Sequence, residues 1–144
     1  MPPKLDENQL RQAIELLYFG YRAFTDAPDR ILEERGLNRV HHRILYFVGR
    51  TPGLSVARLL GVLKVTKQAL NAPLRQLMEM RLVAMGAAAH DKRVRELTLT
   101  PAGRKLEAQL SGTQLKQLRG VFDEAGEEAF SGWLRVMKAL ADHR

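Results

Sequence analysis

The stretch from Ser55 to Thr100 narrows the possible folds more than any other part of the chain. Ser55 can cap a short helix carrying Val56, Leu59, Leu60 and Leu63. Thr66 can cap another, with Leu70, Leu74, Leu77 and Met78 on its inner face. Only Gly61 to Val65 lie between the two apolar sets, and two short helices joined by a tight, glycine-containing turn describe a helix-turn-helix. The pattern then changes period. Leu82, Val83 and Met85 lead into the small residues Gly86, Ala87, Ala88 and Ala89. A polar tip follows, His90-Asp91-Lys92-Arg93, and beyond it Leu97 and Leu99 alternate with Glu96 and Thr98. Alternation on both sides of a charged tip predicts a β-hairpin. Thr100-Pro101 then opens a helix: a hydroxyl cap, followed by a residue whose missing N–H is harmless at the first helical position.

A basic hairpin placed after a helix-turn-helix is a wing, and helices flank this unit on both sides. Leu10, Ile14, Leu17, Tyr18, Tyr21 and Phe24 form one stripe of an amphipathic helix from about residue 6 to 25, which Ile31 and Leu32 continue past Pro28 toward Gly36. Val40, Ile44, Leu45, Phe47 and Val48 mark a second helix, closed by the turn Thr51-Pro52-Gly53. After the wing, Leu106, Leu110, Leu118 and Phe122 mark a long helix. A break at 123–126 separates it from the last, marked by Phe130, Trp133, Leu134, Met137 and Leu140. The expected fold is mainly α with a small β-hairpin wing, as one domain over 1–144. Within it, 38–100 is a winged helix-turn-helix lobe, and 6–35 and 104–142 are dimerisation helices. Apolar stripes at both chain ends suit packing against a second copy, because DNA readers of this architecture use two-fold symmetry to read two half-sites.

Lys and Arg number 23 against 16 Asp and Glu, a formal charge of +7, which favours a polyanionic partner. There is no cysteine, so disulfides, thiolate metal sites and a cysteine redox switch are excluded. The polar start, from Met1 to Gln9, carries no secretory signal, and no apolar run is long enough to span a membrane. The expected compartment is the cytoplasm. No glycine-rich phosphate loop, nucleophile pattern or partnered carboxylate pair is present, so neither an enzyme nor a cofactor is expected. His41, His42, His90 and His143 raise the question of a metal, but adjacent helical histidines cannot point the same way and no third ligand accompanies them, so none is expected.

The run from Asp91 to Gly103 (Asp-Lys-Arg-Val-Arg-Glu-Leu-Thr-Leu-Thr-Pro-Ala-Gly) resembles the wing and following helix start of the MarR family of bacterial regulators. Leu59-Leu60-Gly61-Val62 with Val65-Thr66-Lys67 is similar to the family's helix-turn-helix. The resemblance implies a triangular homodimer whose first and last helices form the interface. It also implies winged lobes seated on a pseudo-palindromic operator, with binding often relieved by a small-molecule effector. Two features depart from it. Ala72 and Pro73 stand where many members have a basic and an aliphatic residue, and no arginine lies near Met85 or Gly86.

For DNA contact the candidate residues are Thr66, Lys67, Gln68, Asn71 and Arg75 on the second helix of the motif, and Lys92, Arg93 and Arg95 on the wing. Gln and Asn can pair bidentately with adenine, and Lys and Arg with guanine or phosphate. An arginine at a wing tip suits a narrow minor groove. By resemblance, Asp91 orients the wing by holding an arginine, with Arg95 as the expected partner. Arg39, Arg43, Arg50, Arg58 and Lys64 are candidates for phosphate contacts. Pro73, seven residues past the cap, is expected to kink the reading helix or open a turn. Tyr18, Tyr21, Arg22, His41 and Tyr46 are the candidate lining of an effector pocket between the outer helices and the lobe. The competing function is a winged-helix module that binds a protein rather than double-stranded DNA.

Overall fold

The computed structural model describes residues 4–143, so Met1–Pro3, on which part of the leader reading rests, and Arg144 lie outside it. The elements run α1 (Glu7–Glu34), α2 (Arg39–Arg50), β1 (Leu54–Ser55), α3 (Val56–Leu63), α4 (Lys67–Glu79), β2 (Val83–Ala87), β3 (Arg95–Leu99), α5 (Pro101–Ala125) and α6 (Glu127–Asp142). This is a mainly helical chain with a small antiparallel sheet, the winged-helix architecture expected from the sequence. No described helix is long and apolar enough to cross a membrane.

Most helix starts are chemically marked. Asp6 accepts from the Gln9 N–H at 2.8 Å while Gln9 Oε1 accepts from the Asp6 N–H at 3.0 Å, a reciprocal cap on α1. Ser55 and Thr66 accept from the Arg58 and Ala69 N–H groups at 3.1 and 3.0 Å, capping α3 and α4 as their positions predict. Between those two helices Lys64 takes a left-handed conformation, φ 55°, which turns the chain sharply enough for α4 to start at once. Thr100 has two roles: its hydroxyl donates to the Arg81 carbonyl at 2.7 Å and accepts from the Gly103 N–H at 3.0 Å. It thereby fixes the start of α5 to the loop before β2. Gly103 approaches the Leu82 backbone so closely that a Cβ there would stand 1.9 Å from the Leu82 carbonyl oxygen.

The strand order is β1-β3-β2, with Leu54 opposite Leu97 and Val83 opposite Leu99. The strand β1 was not expected from the sequence. It is two residues long, too short to show alternation, and exists because Leu54 drops into the core beside Leu97. The core draws on every part of the lobe: Leu32 from α1, Ile44, Leu45 and Val48 from α2, Leu59 from α3, Leu70 and Leu77 from α4, Leu97 from β3, and Leu106 and Leu110 from α5. Each such side chain contributes roughly 1.5–3 kcal/mol of burial.

The two prolines inside helices break neither. Pro28 is fully buried in α1, which runs on to Glu34. Pro73 lies in α4, which runs unbroken from Lys67 to Glu79, so the opened turn expected there is absent. Leu70, Leu74 and Leu77 explain this. They dock both halves of α4 on one core surface, and the Ala69 carbonyl that Pro73 leaves without a partner belongs to an exposed residue where water can reach it.

The ends of the chain are different in character. Leu10, Ile14, Leu17 and Tyr18 of α1 are exposed, as are Phe130, Trp133, Val136 and Leu140 of α6, and α6 buries no residue at all. What holds α6 is an aromatic cluster, Phe130 and Trp133 packing edge-on against Phe122 of α5 at 4.8 and 5.4 Å.

Candidate nucleic-acid interface

Lys67, Gln68, Asn71 and Arg75 all lie on the exposed side of α4, opposite the buried leucine stripe. Among the described residues, none of these side chains engages a protein partner by hydrogen bond or ion pair. The Thr66 hydroxyl accepts from the Ala69 N–H as the helix cap, and its own O–H remains able to donate outward. The free N–H groups and positive dipole end of α4 therefore coincide with a cluster of uncommitted donors, an arrangement suited to phosphate and base edges.

The wing is more ordered than its composition suggests. Asp91 Oδ1 accepts from the Arg93 N–H at 3.0 Å and from Arg93 Nε at 3.2 Å, while Asp91 Oδ2 accepts from Arg93 Nη2 at 3.3 Å. These bonds hold the Asp91 carboxyl below the usual carboxylate range. Arg93 nevertheless leaves 91% of its side chain in solvent. The arginine partner is thus Arg93, and the expectation that Asp91 holds Arg95 is corrected. A carboxylate that closes a turn onto the N–H two residues on has that residue's side chain within reach. Arg95 is already in β3, opposite Ala87. Lys92 and Arg95 are exposed beside it.

The phosphate candidates divide. Arg50, Arg58 and Lys64 are exposed. Arg39 instead forms a two-pronged pair with Asp29 at 3.1 and 2.9 Å, lies over the Tyr21 ring at 5.3 Å, and is held above its ordinary pKa chiefly by the Asp29 hydrogen bonds. Arg43 donates to the Tyr21 hydroxyl at 2.8 Å. Both belong to a cavity of about 280 Å³ between α1, α2 and α5.

Of the five residues expected to line an effector pocket, Tyr21 and Tyr46 line this cavity. Tyr18, Arg22 and His41 do not; Arg22 lies over the Tyr18 ring at 5.8 Å, outside it. His41 is buried and turned the other way, where its Nδ1 accepts from the Asn38 N–H at 3.0 Å and closes the cap of α2. Its neighbour His42 faces the cavity instead, with Nε2 3.2 Å from Ser111 Oγ, and the Ser111 hydroxyl donates onward to Glu107. Burial pushes the His42 pKa down, against the pull of nearby Glu107. The sequence placed none of Arg39, His42 and Arg43 in the pocket, offering the two arginines for phosphate instead, yet they carried a signal. With Tyr46 they recur at helical spacing on one face of α2. Ser111, on a helix distant in sequence, carried none.

The MarR family profile matches residues 35–94, from just before α2 through most of the wing. The HTH-type transcriptional regulator PetP of Rhodobacter capsulatus is 44% identical over 138 residues, spanning 96% of this chain and 83% of that protein. Among solved structures, Streptococcus pneumoniae FabT in complex with DNA superposes with a TM-score of 0.79 at 15% identity, over 94% of this chain and 95% of that one. Staphylococcus aureus MarR in complex with salicylate and kanamycin gives a TM-score of 0.76 at 20% identity, over 94% and 92%. At such identities these structures speak to the fold alone, while the relative at 44% speaks to descent. Helix-turn-helix, wing, outer helices and sequence agree, and the chain belongs to the MarR family of transcriptional regulators, DNA-binding proteins that act without catalysis.

Proposed function

We propose that this chain is a sequence-specific repressor that works in the cytoplasm, binds a pseudo-palindromic operator as a homodimer, and is released from it by a small molecule. The observation that carries the reading is the uncommitted polar face of α4, Lys67, Gln68, Asn71 and Arg75, standing at the exposed end of a rigidly capped helix. In this reading Gln68 and Asn71 contact base edges, and Lys67 and Arg75 bind guanine or phosphate. Thr66 caps the helix and directs its free O–H toward the DNA. Arg93, aimed by Asp91, enters the minor groove between Lys92 and Arg95. Residues 38–100 form the DNA lobe. The stretches 6–35 and 104–142 form the dimer interface, for which the exposed apolar stripes of α1 and α6 are the support. The cavity beside Tyr21, His42 and Tyr46 is the place for an effector. Supporting analogies are the DNA bound to FabT and the salicylate bound to Staphylococcus aureus MarR.

The test is selection of duplexes from a random-sequence pool by the purified protein. An enriched, two-fold symmetric sequence is expected. Its binding should weaken linearly in log salt, with a slope of about −0.9 per phosphate neutralised. Gln68→Ala or Asn71→Ala should relax the enriched sequence by about 1–3 kcal/mol per lost base contact. A pool that stays random would leave the lobe as a protein-binding module.

A further inference from the structure

His41 and Gln76 join two helices by a bond whose direction is fixed at both ends. His41 Nδ1 accepts from the Asn38 N–H at 3.0 Å, so in the neutral ring the proton resides on Nε2. That nitrogen lies 2.9 Å from Gln76 Oε1 on α4, and therefore donates to it. The amide of Gln76 is oriented in turn, since its Nε2 donates to the Gly36 carbonyl at 3.4 Å, just past the end of α1. Each group has its role set by its neighbour, and the chain runs from the cap of α2 through α4 to the C-terminus of α1. His41 is 4% exposed, so water does not compete for it.

We infer that His41 is a positioning residue for DNA reading, setting the rotation of α4 through Gln76; the inference rests on the reading of α4 as the DNA-contacting helix. Leucine packing sets which face of α4 is buried, and a directional bond refines the rotation within that setting. Leu70, Leu74 and Leu77 supply attraction without direction, whereas a hydrogen bond weakens steeply as its angle departs from linear. The sensitivity is high. Side-chain tips lie roughly 5–6 Å from a helix axis, so a rotation of about 10° moves Gln68 or Asn71 by about 1 Å. That displacement separates a hydrogen bond made from one lost. Gln76 adjoins Arg75 in sequence but points inward, so it steers the reading face without belonging to it.

The experiment uses the full chain and two duplexes: the one enriched by the parent protein from a random pool, and a scrambled duplex of equal length. His41→Asn keeps an acceptor for the Asn38 N–H and loses the reach to Gln76. Gln76→Met keeps the length of the side chain and loses both polar atoms. Because Gln76 is half-exposed, this second variant keeps the test open if replacing His41 lowers stability. Each variant should lose about two- to tenfold in affinity for the enriched duplex, the worth of one hydrogen bond. Affinity for the scrambled duplex should be unchanged, and the double variant should lose no more than either single one. Equal losses on both duplexes, additive losses in the double variant, or full retention of specific affinity would each overturn the inference while leaving α4 as the reading helix. A parent protein that enriches no duplex would overturn that helix assignment and this inference together.

Discussion

Replacing Gly103 by alanine should unfold the molecule far more readily than its single added methyl suggests. In an ordinary helix interior the change is favourable, by roughly 0.5–1 kcal/mol. At Gly103 the new Cβ would stand 1.9 Å from the Leu82 carbonyl oxygen and 2.9 Å from its carbon, and both are backbone atoms that cannot rotate aside. A tolerable C···O contact begins near 3.3 Å, so the start of α5 has to retreat by about 1.4 Å. That retreat strains what Thr100 holds: its N–H bond to the Leu82 carbonyl at 3.1 Å, its hydroxyl bond to Arg81 at 2.7 Å, and the cap on Gly103 at 3.0 Å. Two hydrogen bonds at about 1 kcal/mol each and a cap at about 1 kcal/mol, less the helix-propensity gain, give a net loss of about 2–2.5 kcal/mol. The assay is urea or thermal unfolding at fixed protein concentration. Gly112→Ala is the control, because a Cβ at that position in the same helix meets nothing within 4 Å; it should stabilise. If Gly103→Ala unfolds at or above the parent midpoint, the contact with Leu82 is not the constraint described.

Three further outcomes follow from the structure. Because burial lowers the His42 pKa beneath its ordinary value of about 6.5, the unfolded chain takes up a proton that the folded chain resists. Stability from this residue is thus fully present above about pH 6.5 and falls as pH drops through the folded value; melting temperatures should decline over this window in the parent and less steeply in His42→Gln, and parallel profiles would exclude His42 as the source. Pro73→Ala should restore the hydrogen bond to the Ala69 carbonyl in an already continuous helix and raise stability by about 1–3 kcal/mol, and a lower unfolding midpoint would show that Pro73 is required rather than tolerated. The exposed stripes of α1 and α6 should bury more than about 2,000 Å² in a homodimer, so light scattering at micromolar concentration should give twice the chain mass. Val136→Glu with Leu140→Glu, which leaves the Phe122 cluster intact, should then shift the population to monomer, and a monomeric parent would refute the assignment of these helices.

The sequence reveals the fold through its local signals. Ser55, Thr66 and Thr100 announce three helix starts, and the alternation around Leu97 and Leu99 the wing; the turn expected over Gly61 to Val65 is shorter, because α3 runs through Gly61 to Leu63 and Lys64 makes the bend. What it hides are matters of partner choice across space. Asp91 has two arginines within four residues, Arg93 and Arg95, and only the closed turn selects Arg93. His41 and His42 are indistinguishable as letters; their separation into cap and cavity depends on which side of α2 meets α4 and which meets α5. Pro73 signals a break by local rules, and the leucines on either side override it.

That His41 and His42 are covalent neighbours facing different helices has a thermodynamic consequence. One side chain forms part of the cavity wall through Ser111, and the other grips α4 through Gln76. A rigid-body shift of this turn of helix moves both, whereas a rotamer change in either side chain moves that one alone. If the cavity takes an effector and α4 reads DNA, as proposed, an occupant that shifts this turn of α2 would act against the setting of α4 that DNA selects, and linkage would make the opposition mutual. Whatever factor the occupant removes from DNA affinity, bound DNA removes from the occupant's. On its operator, the protein would then respond only at higher effector concentrations than the same protein free in solution, and the gap between the two thresholds would equal the coupling free energy carried by one peptide bond's worth of helix.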